Sequence, residues 1–133
     1  MSLVAGSKLG PYEWGAEFSL RFCRTFGNSA DVYNAAGCMT RVAQFLVHAL
    51  FALNEEYFVS DKYAGRLLEE LALRPRDFTP RLARVLSNPG GNPTELRRSS
   101  ELLRALWLET VALTVGTYKP CFDLSAVIPE AVV

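Results

Sequence analysis

Arg41, Gln44, His48 and Glu55 fall on nearly one line of a helix, with Ala52 between, in the stretch RVAQFLVHALFALNEEYFVSDKY at residues 41–63. A guanidinium and an imidazole two turns apart suit phosphate chemistry: the cation stabilises charge on phosphoryl oxygens while the ring moves a proton. His48 is the only histidine of the chain. The end of the same stretch gathers an amide (Asn54), two carboxylates (Glu55, Glu56), a phenol (Tyr57) and the Asp61–Lys62 pair around one helix junction. Together they could contact a polar small molecule. A polar stripe on an oily helix must face water, pair internally or line a cleft, because unpaired buried charge is costly. Sequence leaves these three readings open. Taken singly, Asn54 ends a helix, the glutamates are solvated, and Asp61 and Lys62 decorate a first turn where the helix dipole favours the acid.

Other chemistries find no residues to carry them. There is no Ser/His/Asp triad, no phosphate-cradling glycine loop and no metal box, so no residue is assigned as catalytic or metal-binding. Cys23, Cys38 and Cys121 are odd in number and widely separated, which supports neither a disulfide framework nor a zinc site and fits a reducing cytoplasm. Lys+Arg and Asp+Glu balance at 14 each, so no basic field argues for nucleic acid. The N-terminus lacks the apolar core of a secretory signal. The longest apolar run, FLVHALFAL, is broken by His48 and falls short of the roughly 20 residues that span a bilayer. A cytoplasmic protein without a membrane partner is the expectation.

The elements that must position these residues are helical. Pro11 suits a first helical turn, and the helix it opens would stop at Gly27. Within it Trp14, Phe18, Phe22 and Phe26 recur every four residues, a ridge expected to pack into the core. A second helix opens after the caps Asn28, Ser29 and Asp31 and runs to Tyr57, with Gly37 marking a close crossing or a break. Ser60 caps a short helix through Leu73, with Tyr63, Leu67, Leu68 and Leu71 as its buried stripe. Thr79 and Pro80 open another, which stops at NPGGNP. Asn92, Pro93 and Glu95 form a capping-box start for the last helix, whose inner face is Leu96, Leu103, Trp107 and Val111. The expected fold class is all-α: one domain over residues 1–133, an antiparallel bundle of about five helices. Residues 1–10 read as disordered or tag-derived, and 119–133 as an extended C-terminal tail.

The runs ALFALNEEYFVSDK (49–62), LALRPRDFTPRLARVL (71–86) and LRALWLETVAL with the later YKPCFDL resemble a known helical domain. It is the C-terminal, substrate-binding-like domain that follows the catalytic domain in bacterial nucleotidyltransferases akin to the aminoglycoside nucleotidyltransferases. The resemblance spans Trp14 to Leu124, and ALN-x-x-YF-x-x-DK is its most specific part. Such proteins transfer a nucleoside monophosphate from NTP to an acceptor, using metal-bound carboxylates of a Gly-Ser plus Asp-x-Asp signature on a separate α/β domain. GSKLG at residues 6–10 has neither a preceding strand nor a following Asp-x-Asp. Without paired acids to hold Mg²⁺, this chain alone cannot stabilise the transferring group.

The resemblance therefore implies an accessory domain, inactive by itself, whose partner is a catalytic domain in cis or in trans. Mg²⁺ and NTP would belong to that domain, leaving no cofactor in this chain. We place Arg41, His48, Glu55, Tyr57, Asp61 and Lys62 along its acceptor cleft, with Glu55 or Glu56 as a conceivable general base. Two rival readings remain. One is a dimerisation or scaffold module, a homodimer using the aromatic ridge and the tail as interface. The other is a ribonuclease: Arg-x6-His is similar to the short Arg/His motif of HEPN-type helical nucleases, although Val42 stands where a polar residue is usual.

Overall fold

The computed structural model describes residues 3–56, 58 and 60–114, giving only the backbone for residues 3–11, 13 and 61. It is an all-α bundle of α1 (Leu3–Asn28), α2 (Val32–Leu53), α3 (Asp61–Leu68), α4 (Phe78–Ser87) and α5 (Pro93–Leu113). No strand occurs among the described residues. Tyr57 and the tail 119–133 lie outside them.

α1 and α2 form the central hairpin. Asp31 N–H donates to Phe26 O at 3.0 Å and Ala30 N–H to Gly27 O at 3.1 Å, with Ala30 left-handed at φ 59°. This is a Schellman closure, which satisfies carbonyls that the last turn leaves open. Helix α1 thus ends at Asn28 rather than at Gly27, and it begins at Leu3, so Pro11 lies inside it rather than in its first turn. Asp31 then caps α2 by accepting from Asn34 N–H at 3.2 Å. α2 ends at Leu53 with a second closure: Glu56 N–H reaches Phe51 O at 2.9 Å and Glu55 N–H reaches Ala52 O at 3.0 Å.

Small residues decide how the hairpin packs. Gly15, Ala16, Ser19, Cys23 and Gly27 are buried on α1. They let α2 and α5 approach closely, and the large rings are displaced to the flank. Trp14 is 46% exposed, Phe18 40% and Phe22 37%, so the aromatic ridge expected in the core lies largely on the surface. The rings still touch one another, at centroid separations of 5.1, 4.9 and 6.1 Å along Trp14, Phe18, Phe22 and Phe26.

Gly37 is neither a break nor a close crossing. α2 runs through it, and a methyl group there would meet only Arg41 Nη1, at 3.9 Å. Gly37→Ala is accordingly expected to raise stability by about 0.5–1 kcal/mol through helix propensity, read from urea midpoints. Loss of stability would mean that Gly37 is tightly packed after all.

α5 lies antiparallel to α1, with Leu96 against Gly27 and Arg97 near Asn28. Its start is built as the sequence predicts: Asn92 Oδ1 accepts from Glu95 N–H at 2.9 Å, and Pro93 opens the helix. Glu95 accepts from Gly91 N–H at 2.9 Å, one residue beyond the N-cap N–H of the expected reciprocal bond. Leu96, Leu103, Leu106 and Trp107 face inward to meet Val42, Leu46, Ala49 and Leu50 of α2 in one core.

α4 packs against α5, where Arg81 grips Glu109 through both guanidinium nitrogens, one at 2.9 Å. That bond holds the Glu109 carboxyl below the usual carboxylate range. α4 begins at Phe78 with left-handed Asp77 before it and no side-chain cap, so Thr79 is not the cap. Ser60 precedes α3 without a side-chain cap bond either. α3 stops at Leu68; Leu68 and Leu71 are buried, while Tyr63 is 45% exposed.

By length and composition α2 could cross a membrane, a property that FLVHALFAL alone does not convey. Half of its most apolar window is buried within the bundle.

Candidate functional site

The most tightly built polar feature is the junction after α2. Asn54 donates through Nδ2 to Leu50 O and to Leu73 O, each at 2.7 Å, and accepts from Leu73 N–H at 2.8 Å. Its amide therefore pairs both backbone groups of a residue nineteen positions away, tying the end of α2 to the segment after α3. Next in the chain, Arg74 Nη1 donates to Leu71 O at 3.0 Å and also to the carbonyls of Leu68 and Glu69. Guanidinium donors there satisfy carbonyls that the end of α3 exposes.

Above this clamp the rings close a small aromatic cage. His48 stacks on Tyr12 at 5.3 Å and 18°, and Phe58 approaches it at 4.1 Å with a 48° tilt. Phe58 also meets Phe51 edge-on at 5.3 Å. The imidazole thus sits at the α1–α2 interface in contact with two other rings.

The predicted site residues divide between separate neighbourhoods. Arg41 donates through Nη2 to Cys38 Sγ at 3.0 Å, roughly 10 Å along the helix from His48. Glu55 occupies the left-handed C-terminal position of the α2 closure, at φ 54°. Asp61 is the first residue of α3. Lys62 Nζ lies 5.6 Å from the centroid of the Tyr63 ring. Tyr57 falls outside the described residues. His48 and Glu55 share the junction, while Arg41 belongs to a different groove.

Glycine normally fills the position Glu55 takes, since a side chain at positive φ costs about 1 kcal/mol. Glu55→Gly is expected to stabilise the fold by about 0.5–1 kcal/mol, as measured by thermal melting. An unchanged or lower midpoint would show that the glutamate side chain contributes more than its backbone strain costs.

The groove around Arg41 was not legible as a site. Trp14, Phe18, Phe22, Phe26 and Phe45 wall a depression of about 440 Å³ between α1 and α2, and Asn34, Cys38 and Arg41 complete it. Beneath the rings, Cys23 neighbours Cys38, on which the Arg41 guanidinium converges, and the Cys23 thiol points its proton toward Ala35 O at 4.0 Å. Interaction with Cys23 first, and the Arg41 charge and hydrogen bond after it, overcome burial and lower the Cys38 thiol to about 6. The same interaction, burial and the neighbouring negative charge push the Cys23 thiol up. The signal that would have found it is helix register: two turns from Gly15 opposite Phe45, Cys23 falls opposite Cys38. Glu17, wholly buried on α1, also escaped sequence reasoning.

Among the described residues no group of three or more His, Cys, Asp or Glu side chains could hold a metal. The chain matches no family model, no curated protein and no solved structure.

Proposed function

We propose that this chain is the helical accessory domain of a nucleotidyltransferase-type protein and that it presents acceptor-binding residues to a separate catalytic domain. The observation that carries the reading is the clamp at Asn54. It joins two of the sequence runs on which the resemblance rests, ALFALNEEYFVSDK and LALRPRDFTPRLARVL, into one rigid junction. Conserving geometry by backbone pairing is what a site on a loop requires if its side chains are to hold position. Beside the junction His48, Tyr12 and Phe58 form an aromatic cluster whose imidazole and phenol could meet an amino- or hydroxyl-bearing acceptor.

The test uses the chain with Mg²⁺, α-labelled NTP and a panel of such acceptors. No label should transfer, while acceptors should perturb the His48 and Phe58 ring resonances, and His48→Ala should weaken that binding about tenfold. Label transfer by the chain alone, or a panel that leaves both rings unperturbed, removes the proposal.

A second reading, a self-associating module, is favoured by the exposure of Trp14, Phe18 and Phe22 along one helix face. Contiguous apolar surface of this kind marks interaction sites. Light scattering should then report a dimer that Phe18→Glu converts to monomer. A monomer at high concentration excludes it.

A further inference from the structure

Cys23 and Cys38 belong to neither reading above, yet their placement is specific. They face each other across the α1–α2 hairpin, in the register set by Tyr12 against His48 and Gly15 against Phe45. Arg41 Nη2 donates to Cys38 Sγ at 3.0 Å, and Cys38 lines the aromatic groove. Cys23 lies deeper, its sulfur 4.0 Å from Ala35 O. Both residues are buried, Cys38 at 1% and Cys23 at 0% exposure, but they differ in surroundings: Cys38 meets a cation and lines the groove, and Cys23 does not line it.

We propose that Cys38 is a hydroperoxide-reactive thiolate and Cys23 its resolving thiol, so that peroxide converts the pair into a disulfide stapling α1 to α2. Cys38 Sγ attacks one peroxide oxygen; the S–O bond forms, the O–O bond breaks, and the departing alkoxide or hydroxide takes a proton from solvent. Cys38 is then a sulfenic acid. Cys23 Sγ attacks it, an S–S bond forms, the S–O bond breaks, and hydroxide leaves as water with the Cys23 proton. Two thiols lose two electrons and the peroxide gains them. A dithiol reductant reverses the change by thiol–disulfide exchange.

Arg41 has two tasks here. After Cys23, it helps to hold Cys38 ionised, and its charge stabilises the oxygen anion that leaves as the peroxide bond breaks. With its pKa lowered to about 6, Cys38 is mainly thiolate at neutral pH, where an ordinary thiol is mostly protonated.

The test is intact-mass and peptide-map analysis of the full chain carrying Cys121→Ser, treated with hydrogen peroxide at pH 7. The expected result is a loss of about 2 Da with the Cys23 and Cys38 peptides linked, reversed by dithiothreitol. Cys23→Ser should instead trap a sulfenic acid on Cys38, captured by dimedone. Arg41→Gln, a change at an exposed side chain, should slow the reaction roughly tenfold at pH 7. Reaction no faster than that of free glutathione, links between chains in place of the internal one, or an unchanged rate in Arg41→Gln would each overturn the assignment. If Cys23→Ser fails to fold, the peptide map and the Arg41→Gln rate still decide.

Discussion

Replacing Trp107 with alanine is expected to lower stability by about 3–5 kcal/mol, the largest effect of any single truncation in this chain. Trp107 is 1% exposed and heads the fully buried side chains by volume. It lies on α5 within the core formed with α2. Removing the indole loses its transfer energy and leaves a cavity that neighbouring leucines fill only in part, because helix backbones cannot collapse inward. Calorimetry should show the thermal midpoint falling by roughly 10–15 °C. Trp107→Phe, which keeps most of the ring volume, should cost clearly less. A fall under about 1 kcal/mol for the alanine variant would mean that α5 is not seated on α2 as described.

Gly15→Leu should also lower stability, by about 1–3 kcal/mol, despite replacing a poor helix former with a good one. A Cβ at Gly15 would come within 2.6–2.7 Å of three atoms of the Phe45 ring. Contacts that short are repulsive, so either the ring swings into the groove or α1 and α2 separate. The two outcomes can be told apart by a double-mutant cycle with Phe45→Ala. Removing the ring first should make the Gly15 substitution nearly neutral, and urea titrations would read the coupling. Equal losses in both backgrounds would place the clash elsewhere.

How much of this was visible in the sequence depends on the residue. Asn92, Pro93 and Glu95 announced the start of α5, because capping is a local matter of a side chain and a backbone three residues away. The inward set Leu96, Leu103 and Trp107 followed from periodicity alone. The aromatic ridge went wrong because periodicity tells which residues share a face and not which face is covered. The small residues Gly15, Ala16 and Cys23 beside it settle that question, since close helix contact favours them. Gly37 and Gly15 look alike in sequence, and only a partner helix distinguishes them. Asn54 read as a helix terminator, which it is, but its bonds to Leu73 join positions that no local pattern connects. Arg41 and His48 both lie on α2, while the neighbours that give each its chemistry come in part from elsewhere: Tyr12 of α1 and Phe58 beyond α2 for His48, and the rings of α1 for the groove that Arg41 lines.

Only Ser29, Ala30 and Asp31 separate α1 from α2. The entropy lost in closing so short a connection is small, so this pair can dock early while α5 must return across a far longer stretch of chain. Refolding should therefore begin at the α1–α2 seam, with the last helix added afterwards. Stopped-flow measurements would show this as φ-values near 0.5–0.8 for substitutions such as Leu46→Ala and low values for Leu103→Ala, which would act mainly on the unfolding rate. The short turn would then set the order of assembly as well as the direction of the second helix.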